Sequence, residues 1–304
     1  MDTVTVGIIG GGFVGSAFAR VFQHYTDVKV FDTDKRRATH SLVDTVGQDV
    51  LFVCLPTPMR KDGTVDHSIV LHALEQIRDN VLSWKPVILK STLPPRDLMQ
   101  LHAHLGEHLY LIFSPEFLTE RTAEYDLQQS TRFIFGVGNH EVERDAVARE
   151  LVTLLFENRF PLVPRYWTTF ATASLVKYFT NVFFATKVAL LNEFFQIAIA
   201  SGVNPSDVIS LVMLDPRIGH SHYMVPGHDG QFGFGGSCFL KDLNGYTCLA
   251  RNSEPPQAPI VGQAAWRKNV EVRGAEALAK ELSELTGRAA SEPMTADEVR
   301  ALVR

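Results

Sequence analysis

The chain has 304 residues, 45% hydrophobic and 21% charged, with a net charge of −5 at neutral pH. That length suggests about two domains with ample material for a core. The charge balance offers neither nucleic acid nor a membrane surface as a partner. Three cysteines, Cys54, Cys238 and Cys248, fit a reducing compartment better than a disulfide scaffold. Met1-Asp2 leads straight into an apolar run, so no leader is expected and the chain reads as a soluble cytoplasmic protein.

The first half alternates strand and helix signals. Residues 4–9 form a short apolar run, followed by Gly10-Gly11-Gly12-Phe13-Val14-Gly15 and a helical pattern over 16–22. Further strands are expected at 28–31, 50–55, 87–89, 110–113 and 132–137, with helices over 69–81 and 142–156 between them. The second strand ends at Asp32 and the third is closed by Pro56-Thr57-Pro58. This rhythm predicts an α/β domain, a doubly wound parallel sheet of Rossmann type whose ligands sit at the carboxyl ends of the strands.

The second half is helical. One long pattern runs over 168–200 and stops at Gly202. Its most apolar part, 182–200, is interrupted by Lys187, Asn192, Glu193 and Gln196, so it reads as a buried helix and not a membrane span. Asn204-Pro205 opens a helix through Met213. A single helix is expected over 259–285, and Thr295 with Glu298 makes a capping box in an otherwise polar tail. The expected division is therefore 1–165, a dinucleotide-binding domain; 166–286, an all-helical substrate and dimerisation domain; and 287–304, a tail.

Gly10-x-Gly12-x-x-Gly15 follows a strand, opens a helix and has Asp32 at the end of the next strand. Glycines there let the backbone reach a pyrophosphate at the helix N-terminus, and the Asp32 carboxylate suits a ribose 2′-hydroxyl. Asp32 favours NAD over NADP, whose 2′-phosphate would meet a like charge; Lys35, Arg36 and Arg37 weaken that preference slightly. Phe13, Val14, Lys35, Pro56, Thr57 and Thr92 complete the expected cofactor surface.

The second chemical motif is Phe232-Gly233-Phe234-Gly235-Gly236-Ser237-Cys238-Phe239-Leu240-Lys241-Asp242. A cysteine at the end of a glycine-rich turn is accessible to a ligand, and neighbouring cations favour its nucleophilic thiolate. A small buried cysteine in a tight turn is the structural alternative. Lys177 and Asn181, four apart on one helix, could grip a carbonyl or alkoxide oxygen, or form an ordinary polar stripe. Glu116 and Glu120 would share a face if their turn is helical, and are otherwise solvated charges. Thr92 of Ser91-Thr92 lies at a strand end, where a hydroxyl could hold a water. His220, His222 and His228 fall in one loop, for which solvated histidines are the better reading than a metal site.

Taken in order, Gly10–Gly15, Pro56-Thr57-Pro58, Ser91-Thr92, Ser114–Glu120, Lys177-x-x-x-Asn181, Asp215-Pro216-Arg217-Ile218-Gly219 and Phe234–Asp242 resemble the UDP-glucose/GDP-mannose dehydrogenase family over nearly the whole chain. The resemblance implies oxidation of a sugar C6 alcohol to a carboxylate with two NAD, through a thiohemiacetal and a thioester on Cys238. UDP-glucose to UDP-glucuronate is the leading conversion. It implies that Lys177 and Asn181 stabilise oxyanions and that Asp242, Thr92 and Glu116 position or activate the hydrolytic water. Glu120, Arg217, Phe234, Gly235 and Lys241 would hold the sugar nucleotide, with Arg217 reaching across a homodimer interface. No metal is implied.

This sequence departs from the family pattern in places. Ser174 stands where a glutamate is usual, Leu240 replaces a proline, and residues 220–231 form a longer loop. The family's third, nucleotide-binding domain is expected to be missing, with the 259–285 helix as its connector leading nowhere. Two other readings stay open: a single-step β-hydroxyacid-type dehydrogenase, which lacks the cysteine loop, and a catalytically inactive NAD-binding remnant.

Overall fold

The computed structural model describes residues 3–285 and 293–302, so Met1-Asp2 and most of the expected break between the last helix and the tail lie outside the described residues. The chain divides into two compact units. The first comprises Met1–Thr57 and His67–Lys177, the second Pro58–Asp66 and Tyr178–Arg304.

The first unit contains β1 (Val6–Ile9), α1 (Phe13–Phe22), β2 (Val28–Phe31), α2 (Leu42–Val46), β3 (Val50–Val53), α3 (Ser68–Asn80), β4 (Lys85–Leu89), α4 (Pro95–Leu105) and β5 (Leu109–Phe113). A 3-10 turn at Glu120–Thr122 follows, then α5 (Ala123–Gln128), β6 (Phe133–Val137), α6 (Val142–Arg159), β7 (Arg165–Thr169) and the start of α7 (Phe170–Ala200). The strands form one sheet in the order β2-β1-β3-β4-β5-β6-β7. Every pairing is parallel except that of β5 with β6. The strand order reverses between β1 and β3, which places the Gly10–Gly15 turn at the crevice where such sheets bind ligands.

The apolar runs read from the sequence are the fully buried strands β1, β3 and β5. Phe18 and Phe22 of α1 pack with Phe52, and Phe156 of α6 and Phe160 just after it pack with Phe133, in one aromatic cluster. Each such ring removed from water contributes about 1.5–3 kcal/mol. The seventh strand is an addition to the sequence reading. Arg165-Tyr-Trp-Thr-Thr is β-branched and aromatic, so it pairs with β6, and the helix begins only at Phe170.

The second unit holds the rest of α7, then α8 (Pro205–Val212), α9 (Ser237–Arg251), α10 (Ile260–Arg273), α11 (Ala275–Leu285) and α12 (Ala296–Ala301). The helix expected over 259–285 is two helices. Gly274, with φ +88°, takes a left-handed conformation that breaks it. The following segments pack back: Leu278 and Leu282 of α11, and Val299 of α12, join Trp266, Leu240 and Leu243 in one core. Thus residues 293–302 are not a loose tail; Thr295 and Glu298 form the expected capping box and start α12.

On α7, Ala185, Ala189 and Leu191 are buried, whereas Phe179, Phe183, Leu190, Phe194 and Ile197 are exposed. The helix is long and apolar enough by length and composition to cross a membrane, and 33% of its most apolar window is buried. The expectation of a buried helix thus holds for one face and not for the other.

Candidate functional site

In the first unit the glycine turn has the geometry of a dinucleotide cradle. Gly10 has φ +100°. A Cβ on Gly15 would overlap the Gly10 carbonyl oxygen, so the helix can enter this close to the strand only as glycine. A Cβ on Gly12 would meet nothing, leaving open space above the turn, and no side chain caps α1. Asp32 accepts hydrogen bonds from the N–H of Gly11 at 2.7 Å and of Asp34 at 2.8 Å, which ties the end of β2 to the turn. Arg36 pairs with Asp34 at 2.8 Å and Arg37 approaches the same carboxylate at 3.7 Å, while Lys35 is exposed. Two of the three basic residues that weakened the preference for NAD are therefore engaged by a carboxylate. Phe13 and Val14 lie in the first turn of α1, half-buried.

At the ends of β3 and β4, Ser91 Oγ donates to the Leu55 carbonyl at 2.6 Å and Thr57 Oγ1 donates to the Thr92 carbonyl at 3.0 Å. Pro56 is exposed, and Thr57 and Thr92 are buried. The hydroxyls of Ser91 and Thr57 thus fasten one strand end to the next.

Glu116 and Glu120 do not share a helical face. The helical turn begins only at Glu120, and residues 114–119 between β5 and that turn have no regular structure. Glu116 is buried and Glu120 exposed. Lys177 Nζ donates to the Glu116 carbonyl at 2.6 Å and to its carboxylate at 3.2 Å, and the Leu118 N–H donates to that carboxylate at 2.7 Å. Burial alone would raise the Glu116 carboxyl, but the Lys177 charge, the Leu118 N–H and Lys90 together hold it below its ordinary range. Glu116 is therefore an ionised carboxylate. Sequence reasoning missed Lys90, which donates to Ser114 Oγ at 3.1 Å and is pulled down to about 8, chiefly by burial. Its only sequence signal is a lysine directly after an apolar strand.

In the second unit, Ser237 and Cys238 are the first two residues of α9, where free helical N–H groups favour negative charge. Ser237 Oγ lies 3.8 Å from the thiol. Gly236 precedes them with φ +77° and open space where a side chain would be, so glycine is required there by conformation. The turn before it is held by three side chains that sequence reasoning missed. Asn192 accepts from Gly233 N–H at 3.0 Å. Asn269 accepts from Phe234 N–H at 2.7 Å and donates to the Phe234 carbonyl at 2.9 Å. Glu281 accepts from Gly236 N–H at 3.3 Å. The Phe234 ring lies in the core, so only its backbone edge belongs to the turn surface.

One turn along α9, Asp242 is almost wholly buried and accepts from Asn181 Nδ2 at 2.5 Å. Its other oxygen makes no hydrogen bond but faces the Lys241 ammonium at 3.4 Å. Cys54 is pushed up to about 12 by burial, and Cys248, raised by burial and by Asp62, donates to the Asp62 carbonyl at 3.4 Å.

In the loop after α8, Arg217 is exposed and its guanidinium pairs with Asp215 at 2.5 Å. Lys187 holds this loop by donating to the carbonyls of Ile218, Gly219 and Ser221 at 3.2, 2.7 and 2.6 Å. His222 stacks on Phe184 at 4.3 Å and lies 5.2 Å from Phe239, next to Cys238. Among the described residues, no group of three or more His, Cys, Asp or Glu is arranged to hold a metal.

The description of the UDP-glucose/GDP-mannose dehydrogenase family, NAD binding domain, matches residues 37–156, and that of the family's central domain matches residues 171–269. The chain belongs to the UDP-glucose/GDP-mannose dehydrogenase family. The UDP-glucose 6-dehydrogenase of Rhizobium meliloti is 33% identical over 214 residues, 68% of this chain and 47% of that protein. The chain spans less than half the length of the curated relatives it matches. A UDP-glucose dehydrogenase from the archaeon Pyrobaculum islandicum has a similar structure, with a TM-score of 0.76 and 26% identity over 92% of this chain and 71% of that one. A 3-hydroxyisobutyrate dehydrogenase from Mycobacterium tuberculosis shares the fold alone, at TM-score 0.69 and 19% identity, over 94% of this chain and 99% of that one. The match to the family's NAD-binding domain, residues 37–156, thus falls mostly in the first unit. The residues of the first unit fit the group: Gly10 and Gly15 let the turn and helix pack closely, Gly12 leaves open space for a pyrophosphate, and Asp32 stands at the ribose position of such folds.

Proposed function

We propose that this chain carries the NAD-binding and cysteine-bearing parts of a nucleotide-sugar 6-dehydrogenase that oxidises a C6 alcohol to a carboxylate in two steps, with UDP-glucose to UDP-glucuronate as the leading conversion. The observation that carries the reading is Cys238 in the first turn of α9, at the end of a turn whose backbone is fixed at Gly233, Phe234 and Gly236.

Two NAD, bound in turn, would supply the acceptor for the two hydrides. In the first step the C6 hydroxyl gives up a proton and its carbon a hydride, leaving an aldehyde. The Cys238 thiolate adds to that carbonyl carbon and forms a thiohemiacetal, whose oxyanion Lys177 and Asn181 would stabilise. Loss of a second hydride from the same carbon gives a thioester. Water then adds, the carbon–sulfur bond breaks, and carboxylate and thiol are released. Asp242, Glu116 and Thr92 are assigned to positioning or activating that water. The ionised state of Glu116 supports a base, and the buried Asn181–Asp242 bond supports two groups that act together. Glu120, Arg217, Lys241 and the backbone of Phe234 and Gly235 are assigned to holding the substrate.

We further propose that the exposed apolar stripe of α7 joins two copies of the chain, which would bring Arg217 to the partner's substrate.

The test is a panel of sugar nucleotides with NAD, counting NADH per product. Two NADH for each carboxylate is the expected outcome. One NADH with free aldehyde or ketone would favour the single-step reading, with which the fold is equally compatible. Tight NAD binding without turnover on any sugar nucleotide would favour an inactive remnant.

A further inference from the structure

The Gly236 amide, immediately before Ser237 and Cys238, donates to Glu281 Oε2 at 3.3 Å. Glu281 does not stand alone. Arg273 Nε donates to its other oxygen at 2.8 Å, Arg273 Nη2 donates to Asp229 at 2.8 Å, and Arg273 Nη1 donates to the Phe232 carbonyl at 3.3 Å. The Arg273 side chain is only 6% exposed, so its guanidinium bridges the two carboxylates, Asp229 and Glu281, in a sheltered place. The pair lies directly against the turn. A Cβ on Gly235 would come within 2.6 Å of the Glu281 carboxylate and would overlap the guanidinium. Gly235 is therefore explained by this packing, where Gly236 is explained by its backbone conformation.

The two anchoring residues come from the end of α10 and from α11, beyond residue 269, where the match to the family's central domain ends. Glu281 comes within reach of the turn because Gly274 breaks the helix and α11 folds back. Arginine suits this place, since its planar fork serves two carboxylates and a carbonyl from separate nitrogens in fixed directions, whereas a lysine offers one point charge.

We infer that Arg273 and Glu281 are positioning residues for the cysteine turn: the ion triad with Asp229 fixes the Gly236 amide and so sets where Cys238 enters α9. The inference rests on the reading of Cys238 as nucleophile. A group that holds the nucleophile in its reactive position affects kcat more than the binding of either substrate.

Two measurements test it on the full chain: steady-state kinetics with the best sugar nucleotide, and hydrogen exchange of the peptide containing Gly236. Glu281→Ala is expected to speed exchange in the turn and to lower kcat about tenfold, with KM for NAD unchanged. Glu281→Gln keeps a carbonyl oxygen for the amide but loses the charge that pairs with Arg273, so it is expected to recover only part of the slow exchange and of kcat. Equal losses in the two variants, or wild-type exchange and kcat in Glu281→Ala, would overturn the inference. If Glu281→Ala fails to fold, Arg273→Lys carries the test, since it keeps the charge and loses the fork. Lowered kcat with faster exchange supports the inference, and wild-type values for both overturn it. Acid formation by Cys238→Ala would instead sink the reading of function, whereas the exchange result does not depend on turnover.

Discussion

Lys177 and Glu116 form a buried ion pair in which the ammonium grips both the carboxylate, at 3.2 Å, and the main-chain carbonyl, at 2.6 Å, of the same residue. Their side chains are only 4% and 7% exposed, so neither charge can be left alone without a large desolvation penalty. Lys177→Met should destabilise the first unit by roughly 3–5 kcal/mol. The double variant Lys177→Met/Glu116→Gln should recover much of that loss, because no bare carboxylate remains. Urea unfolding of the three proteins reads the coupling; additive losses would mean that the two groups do not depend on each other.

Asn181 and Asp242 are the corresponding buried pair of the second unit, joined at 2.5 Å. If Asp242 serves thioester hydrolysis, Asp242→Asn should slow acid formation by about 10²–10⁴-fold and let an acylated Cys238 build up. Intact-mass spectrometry after a single turnover detects that adduct. Slow turnover with an unmodified cysteine would remove Asp242 from the hydrolytic step.

Much of this arrangement was legible in the sequence because local physics governs it. The apolar runs closed by Gly, Pro or Asp became β1, β3 and β5, and Gly10–Gly15 took the turn its spacing implies. What escaped was set by distant partners. The partner of Lys177 lies 61 residues earlier, and that of Asn181 the same distance later, so neither pairing has a local signature. Gly274 gave a stop signal inside the predicted 259–285 helix, but the apolar pattern on both sides masked it. Asn192, Asn269 and Glu281 look like ordinary polar helix positions until the cysteine turn is folded against them.

His140 gives the first unit a defined acid response. Its ring stacks on Tyr110 at 4.0 Å and meets His102 edge-on at 4.5 Å, with Arg144 and the Tyr110-bonded Asp145 nearby. Burial, with His102 adding to it, pulls the imidazole down to about 4 from 6.5. The folded state therefore binds fewer protons than the unfolded chain as pH falls from 6.5 towards 4, and stability drops across that window. Partial exposure makes the drop smaller than the full shift implies. Glu116, whose carboxyl is lowered, loses stability in the same direction on acidification, so the comparison must be between variants. His140→Phe keeps the stack without the titration, and its urea midpoint should vary less with pH in this window. Identical pH dependence in both proteins would rule His140 out as the source.

The stripe Phe179, Phe183, Leu190, Phe194 and Ile197 leaves one face of α7 apolar and exposed, with Phe183 65% and Ile197 56% accessible. Spacings of four, seven, four and three residues keep these side chains on one side of the helix. A face of this kind is normally covered, and a second copy is the occupant proposed here. Sedimentation at micromolar concentration should give a dimer or larger, and Phe183→Glu with Ile197→Glu should give a monomer. A monomeric parent protein would remove the homodimer and with it any role of Arg217 in trans.

Residues 293–302 are anchored by the largest fully buried side chain of the protein. Trp266 Nε1 donates to the Val299 carbonyl at 3.0 Å, and Val299 itself is 0% exposed. The capping box fixes the start of α12, so Val299 enters the core at one place only. Val299→Asp would put a charge into the apolar core of Leu278, Leu282 and Trp266. Burial of an unpaired carboxylate is strongly unfavourable, so the second unit should lose roughly 3 kcal/mol or more. The indole should also become wetter, shifting the protein's tryptophan emission to the red. Affinity for NAD should stay unchanged, because Gly10–Gly15 and Asp32 belong to the other unit. A Val299→Asp protein with the parent's thermal midpoint and emission would show that α12 contributes nothing to the core.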